Sequence, residues 1–303
     1  MTNTIHKPLP EGIRYIRKTE NLFPKKLLEL HDCPEGIYVR GELPDPEKKT
    51  VAIVGARMCS AYGRAMASYF ARVLAANDVQ IISGLALGID GAAHEGAMIA
   101  EGKTYAVMAG GVDICYPRSH IGIYEQIRQT GGIISEEPCG HPPIARLFPK
   151  RNRIISILSD LVLVVEARQK SGSLITADFA AEQGRDLFVV PGRLDDELSR
   201  GCNELISQGA GVALSPETLL EIMGKCGEKS DNSEMFMQNA LARQENMVYS
   251  CLSLQPKTLE ELCIETKLTL PQVTESVMML QLQGMVKEIG RNRYQKSVLK
   301  VKN

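Results

Sequence analysis

The residues best placed to do chemistry lie between Phe148 and Ala177: F-P-K-R-N-R-I-I-S-I-L-S-D-L-V-L-V-V-E-A-R-Q-K-S-G-S-L-I-T-A. Lys150, Arg151 and Arg153 form a basic knot around Asn152. From Pro138 to Ser159 the only other charged residue is Arg146, and there is no acid. A β-branched run, Leu161–Val165, ends at Glu166, and after a polar break Ser171-Gly172-Ser173 leads into a helical pattern through Thr176. A loop that presents unpaired backbone N–H groups at the positive end of a helix dipole suits an anion. Lys and Arg beside it make that anion a phosphate, so the stretch predicts a protein that holds a phosphate-rich ligand. The bland reading of the four cations is a solvated helix face. Phe148 also has two readings, a platform on which a nucleobase stacks or a core side chain before Pro149.

Other motifs offer less. Gly96…Gly102-Lys103-Thr104 imitates a P-loop, but five residues separate the glycines. It also runs from helix into strand, the reverse of what a P-loop needs. Gly55-Ala-Arg-Met-Cys-Ser does not match G-x-G-x-x-G, so no dinucleotide cofactor is expected. Asp90 and His94, one helical turn apart, fit an acid–base pair or, as we read them, a cap and a hydrogen-bonded structural histidine. The eight cysteines lack C-x-x-C spacing and the five histidines add no ligand pattern, which argues against structural zinc.

The elements that must position these residues follow from periodicity. Buried strands are expected at 51–54, 79–83, 103–109, 132–135, 161–165 and 187–190, alternating with helices. The first helix carries Met66, Tyr69, Phe70, Val73 and Leu74 on one face. This alternation predicts an α/β fold, an open and mainly parallel sheet with helices on both faces. Ligands bind beyond the carboxyl ends of such strands. Those ends are Gly55-Ala56-Arg57, Ser83-Gly84, Gly110-Gly111, Ser135-Glu136, Glu166-Ala167 and Pro191-Gly192.

Residues 1–50, rich in Pro and charge, read as a flank packed on a core domain at 51–223. Residues 224–239 read as a polar linker, and 240–303 as a small winged-helix domain: a helix over Leu241–Leu252, a capping box at Thr258-Leu-Glu-Glu261, a third helix with Val273, Val277 and Leu280 inward, and a hairpin around Gly290-Arg291-Asn292. Winged helices read duplex DNA with the third helix. From Thr269 to Met285, however, there is no Lys or Arg and the one charge is Glu275. Phosphate anchoring and guanine readout both want basic side chains, so partner docking or auxiliary contact through Lys287, Arg291, Arg293, Lys296, Lys300 and Lys302 fits better.

Bulk composition bounds these readings. The 303 residues hold roughly two domains, and 44% hydrophobic content with 5% aromatics and no tryptophan predicts an aliphatic core. A net charge of −1 gives no bulk attraction to nucleic acid, so an anion site must come from local clustering. No apolar run approaches the roughly 20 residues of a membrane helix, and the N-terminus lacks a signal peptide's apolar core. A reducing cytoplasm without membrane association is the expected setting.

Taken in order, these residues resemble the DNA processing protein A (DprA, or Smf) family. The likeness runs from about Asn21 to the C-terminus through F-P-K-K-L-L-E-L, V-G-A-R-x-x-S-x-Y-G at Val54–Gly63 (including Ser60), S-G-L-A-L-G-I-D-G-A-A-H at Ser83–His94 and G-G-V-D-I-C-Y-P at Gly110–Pro117. It continues through S-E-E-P-x-G, F-P-K-R-N-R-I-I, S-G-S-L-I-T-A, V-P-G and G-C-N-E-L-I-x-x-G-A. The helical N-terminal domain of some members is not matched.

The resemblance implies a Rossmann-like, non-enzymatic, cytoplasmic protein that binds single-stranded DNA. It further implies protection of incoming strands in natural transformation, help in loading the recombinase RecA, and dimerisation through the Rossmann-like domain. Carried over by motif, the strand contacts are Arg57, Lys150, Arg151 and Arg153. Ser171, Gly172, Ser173 and Thr176 act as loop donors, and Gly55, Ser60, Ser83, Gly84, Phe148 and Asn152 belong to the same rim. Two other classes compete. One is a nucleoside monophosphate N-glycosidase-like enzyme using Glu136 and Glu166, although S-G-S-L-I-T stands where P-G-G-x-G-T is expected and Glu166 could instead orient Arg57 or Arg151. The other is a duplex-binding regulator acting through the winged helix.

Overall fold

A computed structural model describes residues 9–225, 243–282 and 284–297. They fall into two compact units, Met1–Cys226 and Gly227–Asn303. Most of the expected linker, together with Lys300 and Lys302, lies outside the described residues.

The first unit is built on runs too apolar to face water. Strands β1 (Ile13–Arg17), β2 (Gly36–Gly41), β3 (Thr50–Val54), β4 (Gln80–Ser83), β5 (Thr104–Val107), β6 (Gly132–Ser135), β7 (Leu161–Val164), β8 (Asp186–Val189) and β9 (Gly211–Val212) form one nine-stranded sheet, in the order β1-β2-β6-β5-β4-β3-β7-β8-β9. From β6 to β9 every neighbouring pair is parallel, while β1–β2 and β2–β6 are antiparallel. Strands β3 to β7 are buried along their whole length, as a parallel sheet covered on both faces requires.

The connecting helices are α1 (Ala61–Ala76), α2 (Ile89–Ile99), α3 (Ile121–Thr130), α4 (Leu147–Ile157), α5 (Gly172–Glu182), α6 (Arg200–Ser207) and α7 (Pro216–Ile222). Helices α4 and α5 bury Ile154, Ile155, Ala177 and Ala180 against Ala52, Val54, Val162 and Val164. On another part of the sheet, Tyr124 and Ile127 of α3 pack with Ala106 and Ile133. Side chains alternate across the pleat, so the two sets occupy opposite faces.

The expected flank is more than packing. Residues 13–17 and 36–41 pair as β1 and β2 and extend the sheet beyond β6. Their short, charge-interrupted runs hide that role, because an antiparallel edge needs only alternate residues buried.

In the second unit, α8 (Arg243–Cys251), α9 (Leu259–Thr266) and α10 (Leu270–Leu282) accompany β10 (Lys257–Thr258), β11 (Val286–Gly290) and β12 (Arg293–Lys296), with sheet order β10-β12-β11. The Thr258 side chain accepts from the Glu261 N–H, and Glu261 accepts from the Thr258 N–H at 2.7 Å, a reciprocal cap. Val273, Val277 and Leu280 are buried with Val248, Leu252 and Leu262. Among the described residues no helix is long and apolar enough to cross a membrane.

Candidate single-stranded nucleic-acid interface

Strand order locates the site. The chain enters the parallel part of the sheet at β3, works outward through β4, β5 and β6, then returns to β3's other side as β7. Connections therefore leave β3 and β7 in opposite directions and open a crevice between their carboxyl ends, where open α/β sheets bind ligands. A cleft of about 450 Å³ lies at those ends. It is lined by the turn after β3 (Gly55, Arg57, Met58), the loop after β4 (Ala86), α4 (Phe148, Arg151, Asn152), and the β7–α5 connection (Arg168, Lys170, Ser171, Gly172, Ser173, Thr176).

Charge in this crevice is strongly one-sided: Arg57, Arg151, Arg168 and Lys170 face a single carboxylate, Asp90. Arg57, Arg168 and Lys170 are exposed, and among the described residues none has an ion-pair partner. The Arg57 guanidinium lies 4.8 Å from the centroid of the Phe148 ring, which keeps a planar fork of donors at the cleft mouth without an anion. Phe148 is half-buried on the cleft wall, so the core-side-chain reading does not describe it. At the start of α5, Ser171 is the cap and its hydroxyl lies 2.7 Å from that of Ser173. Asn152 Nδ2 donates to Gly172 O at 3.1 Å and ties α4 to this loop.

Arg151 forms the floor rather than a free arm. It is 6% exposed, Nη1 donates to Val107 O, and the guanidinium lies over Gly84, where any Cβ would overlap it. Burial lowers its pKa to about 10, opposed by the charge of Asp90, so it stays cationic at neutral pH. Burial raises the Asp90 carboxyl, and the charge of Arg151 with N–H groups from Ala86 and Gly84 pulls the other way. Asp90 thus anchors the loop after β4. His94 is fully buried, with Nδ1 2.7 Å from Thr104 Oγ1, and burial drives its pKa down to about 3. His94 is the hydrogen-bonded structural histidine expected, but Asp90 is not the expected cap: Gly88 holds the N-cap position of α2, and Asp90, in the first turn, accepts from the loop before it.

The basic knot does not stay together. Arg153 is buried on the far side of α4, where Nη2 donates to Glu136 Oε2 at 2.6 Å and Nε lies 3.1 Å from Asp32 Oδ2. Lys150 is exposed but lies 3.1 Å from Glu136 and 3.5 Å from Glu137. Acids that are absent from the local sequence arrive from other segments. Ser60 is a cap: it holds the N-terminus of α1 through Gly63 N–H, and its own N–H and hydroxyl donate to Glu166. A Cβ at Gly63 would overlap that carboxylate. Glu166 therefore orients Ser60 and α1, not Arg57 or Arg151. Ser83 is buried and donates to Ile53 O at 2.6 Å. Of the expected rim, Gly55, Arg57, Phe148, Arg151, Asn152, Ser171, Gly172, Ser173 and Thr176 meet in one cleft, whereas Ser60, Ser83, Gly84, Lys150 and Arg153 do not line it. Arg168 and Lys170 were not anticipated. Their signal was their position in the polar break between β7 and α5, read only for its backbone donors.

A mainly parallel sheet with a cationic, aromatic-walled crevice at its switch point defines the class, an α/β protein with uncompensated positive charge at the carboxyl ends of its central strands. Comparison with known proteins is more specific: the chain belongs to the DNA recombination-mediator protein A family, whose model matches residues 14–224. It is 44% identical over 200 residues to protein Smf of Escherichia coli, covering 66% of this chain and 54% of that one. It is 40% identical over 201 residues to DNA processing protein DprA of Streptococcus pneumoniae, covering 66% and 71%. The chain thus spans about half the length of the E. coli relative.

Similar solved structures include two from this family. One is the X-ray structure of DNA processing protein A from S. pneumoniae, with TM-score 0.67, 38% identity and coverage of 70% of this chain and 74% of that one. The other is DNA processing protein A from Helicobacter pylori, described for its single-stranded DNA binding mode, with TM-score 0.63, 33% identity and coverage of 70% and 96%.

Proposed function

We propose that this protein binds single-stranded DNA across the crevice between β3 and β7 and processes DNA in transformation and recombination. The observation that carries the reading is the set of exposed, unpaired cations Arg57, Arg168 and Lys170 around the start of α5, with Phe148 beside them. Phosphates meet the cations and loop N–H groups, and a splayed base meets an aromatic wall, which is how single strands bind without sequence preference. A duplex, with its bases already stacked, gains little from such a wall. The single-strand binding described for the H. pylori relative supports this reading.

The finer roles belong to the same proposal. The protein shields incoming strands and helps load RecA onto them, acts as a homodimer in the cytoplasm, and has no catalytic step. The C-terminal unit is a winged helix, tethered through 224–239, that docks partners or touches DNA weakly. The non-catalytic reading is supported by the engagement of Glu136 with Arg153 and Lys150, and of Glu166 with Ser60. It predicts that Glu136→Gln and Glu166→Gln retain strand binding.

The test is titration of a fluorescent oligothymidylate and a matched duplex across a salt series. Preference for the single strand, with log affinity falling linearly as log salt rises, is the expected result. Equal affinity for both, or no salt dependence, refutes it.

A further inference from the structure

We infer that Tyr116 is a second base-stacking platform, outside the crevice, that takes a nucleobase further along the same bound strand. The inference rests on the single-strand reading above.

Tyr116 lies in the connection after β5, at the same carboxyl rim as the crevice but two strands from β3. Phe148 lines the cleft and Tyr116 does not, so Tyr116 stands just outside it. Tyr116 is 45% exposed, although aromatic residues carry a large apolar area that folding normally buries. It is also continuous with the cleft wall, since its centroid lies 5.9 Å from that of Phe148. Phe148 already carries the Arg57 guanidinium over its ring, so Tyr116 offers the more open aromatic surface. Met58 and Leu87, 74% and 46% exposed, add apolar surface to the same rim. Exposed apolar groups gathered at a cationic cleft mark a binding surface.

The platform is also held still. Ser135 Oγ donates to Gly110 O at 2.7 Å, Gly111 N–H donates to His141 O at 2.9 Å, and Tyr124 OH donates to Val112 O at 2.5 Å. These bonds fix the segment that leads to Tyr116, which lowers the ordering cost of stacking on it. The aligned cationic and aromatic groups fit one occupant, an oligonucleotide single strand whose phosphates stay at Arg57 and the α5 loop while a later base reaches Tyr116.

The test uses the full chain. Because the sequence has no tryptophan, Tyr116→Trp gives a lone indole whose emission reports stacking. We expect that emission to be quenched by a long oligothymidylate and unchanged by thymidine monophosphate, whose single base and phosphate are held in the crevice. Tyr116→Ala should weaken binding of the long strand about five- to tenfold, within the range known for base–aromatic stacking. Tyr116→Phe should retain native affinity, because the ring and not the hydroxyl acts. If Tyr116→Ala binds the long strand as the native chain does and the indole emission stays constant, while Arg57→Ala loses binding in the same assay, the platform is refuted and the crevice stands. If the native chain binds no oligothymidylate, both fall together.

Discussion

Two clusters of cations, one on each side of α4, were made from the same residue types and came out with opposite roles. On the crevice side, Arg57, Arg168 and Lys170 project into a cleft whose one carboxylate, Asp90, is already held by two backbone N–H groups. On the other side, Lys150 and Arg153 meet Glu136, Glu137 and Asp32, three acids for two cations. The first cluster has an unanswered positive field, whereas the second is neutralised and locks α4 to its surroundings. What attracts a phosphate is therefore the uncompensated charge at a place, not the number of Lys and Arg in a stretch.

The comparison can be broken most forcefully on the neutralised side. Arg153→Met removes a buried cation from Glu136 and Asp32, leaving Glu136 with Lys150 alone, and should cost about 2–3 kcal/mol of folding stability. Urea unfolding would measure that loss, while strand affinity of the folded fraction should be unchanged. On the crevice side, Arg57→Ala should cost about 2 kcal/mol of binding, the scale of a charge-assisted hydrogen bond, with unfolding unaffected. A variant that lost both properties would merge the two regions.

pH acts on folding through His94, whose folded pKa of about 3 lies below the unfolded value. Its unfolded form takes up a proton first, so stability present above about pH 6.5 is lost as pH falls toward 3, by up to about 1.4 kcal/mol per pH unit. His94→Gln should flatten that acid limb in unfolding experiments at several pH values. A limb of unchanged slope would contradict the buried neutral imidazole.

Smaller effects grade the crevice itself. Arg168→Ala and Lys170→Ala should each cost about 1 kcal/mol and reduce the salt slope by about 0.7, the contribution of one phosphate contact on a single strand. Lys150→Ala should change affinity by less than about 0.5 kcal/mol, since its ammonium is shared between two carboxylates.

How much of this was legible differs by element. Strands β3 to β8 could be read because central parallel strands are continuously apolar, and the start of α5 because Ser171-Gly172-Ser173 is both break and cap. β1 and β2 were missed because an edge pair needs few buried residues and carries its own Arg and Tyr. The basic knot misled for a geometric reason. Arg151 and Arg153 are two residues apart, about 200° around a helix, so one faces the crevice floor and the other the acids from residues 32 and 136. Local sequence shows neither the turn of the helix nor the acids that come to meet it. The order β4-β3-β7, which makes the crevice, is likewise a long-range pairing that periodicity does not reveal.

The most direct test of the account is a side-by-side measurement of oligothymidylate affinity for Arg57→Ala and Lys150→Ala against the native chain. Uncompensated charge at the switch-point crevice predicts a loss of about thirtyfold for the first, equivalent to about 2 kcal/mol, and less than about threefold for the second. Equal losses, or the larger loss in Lys150→Ala, would contradict it and move the strand to the other side of α4.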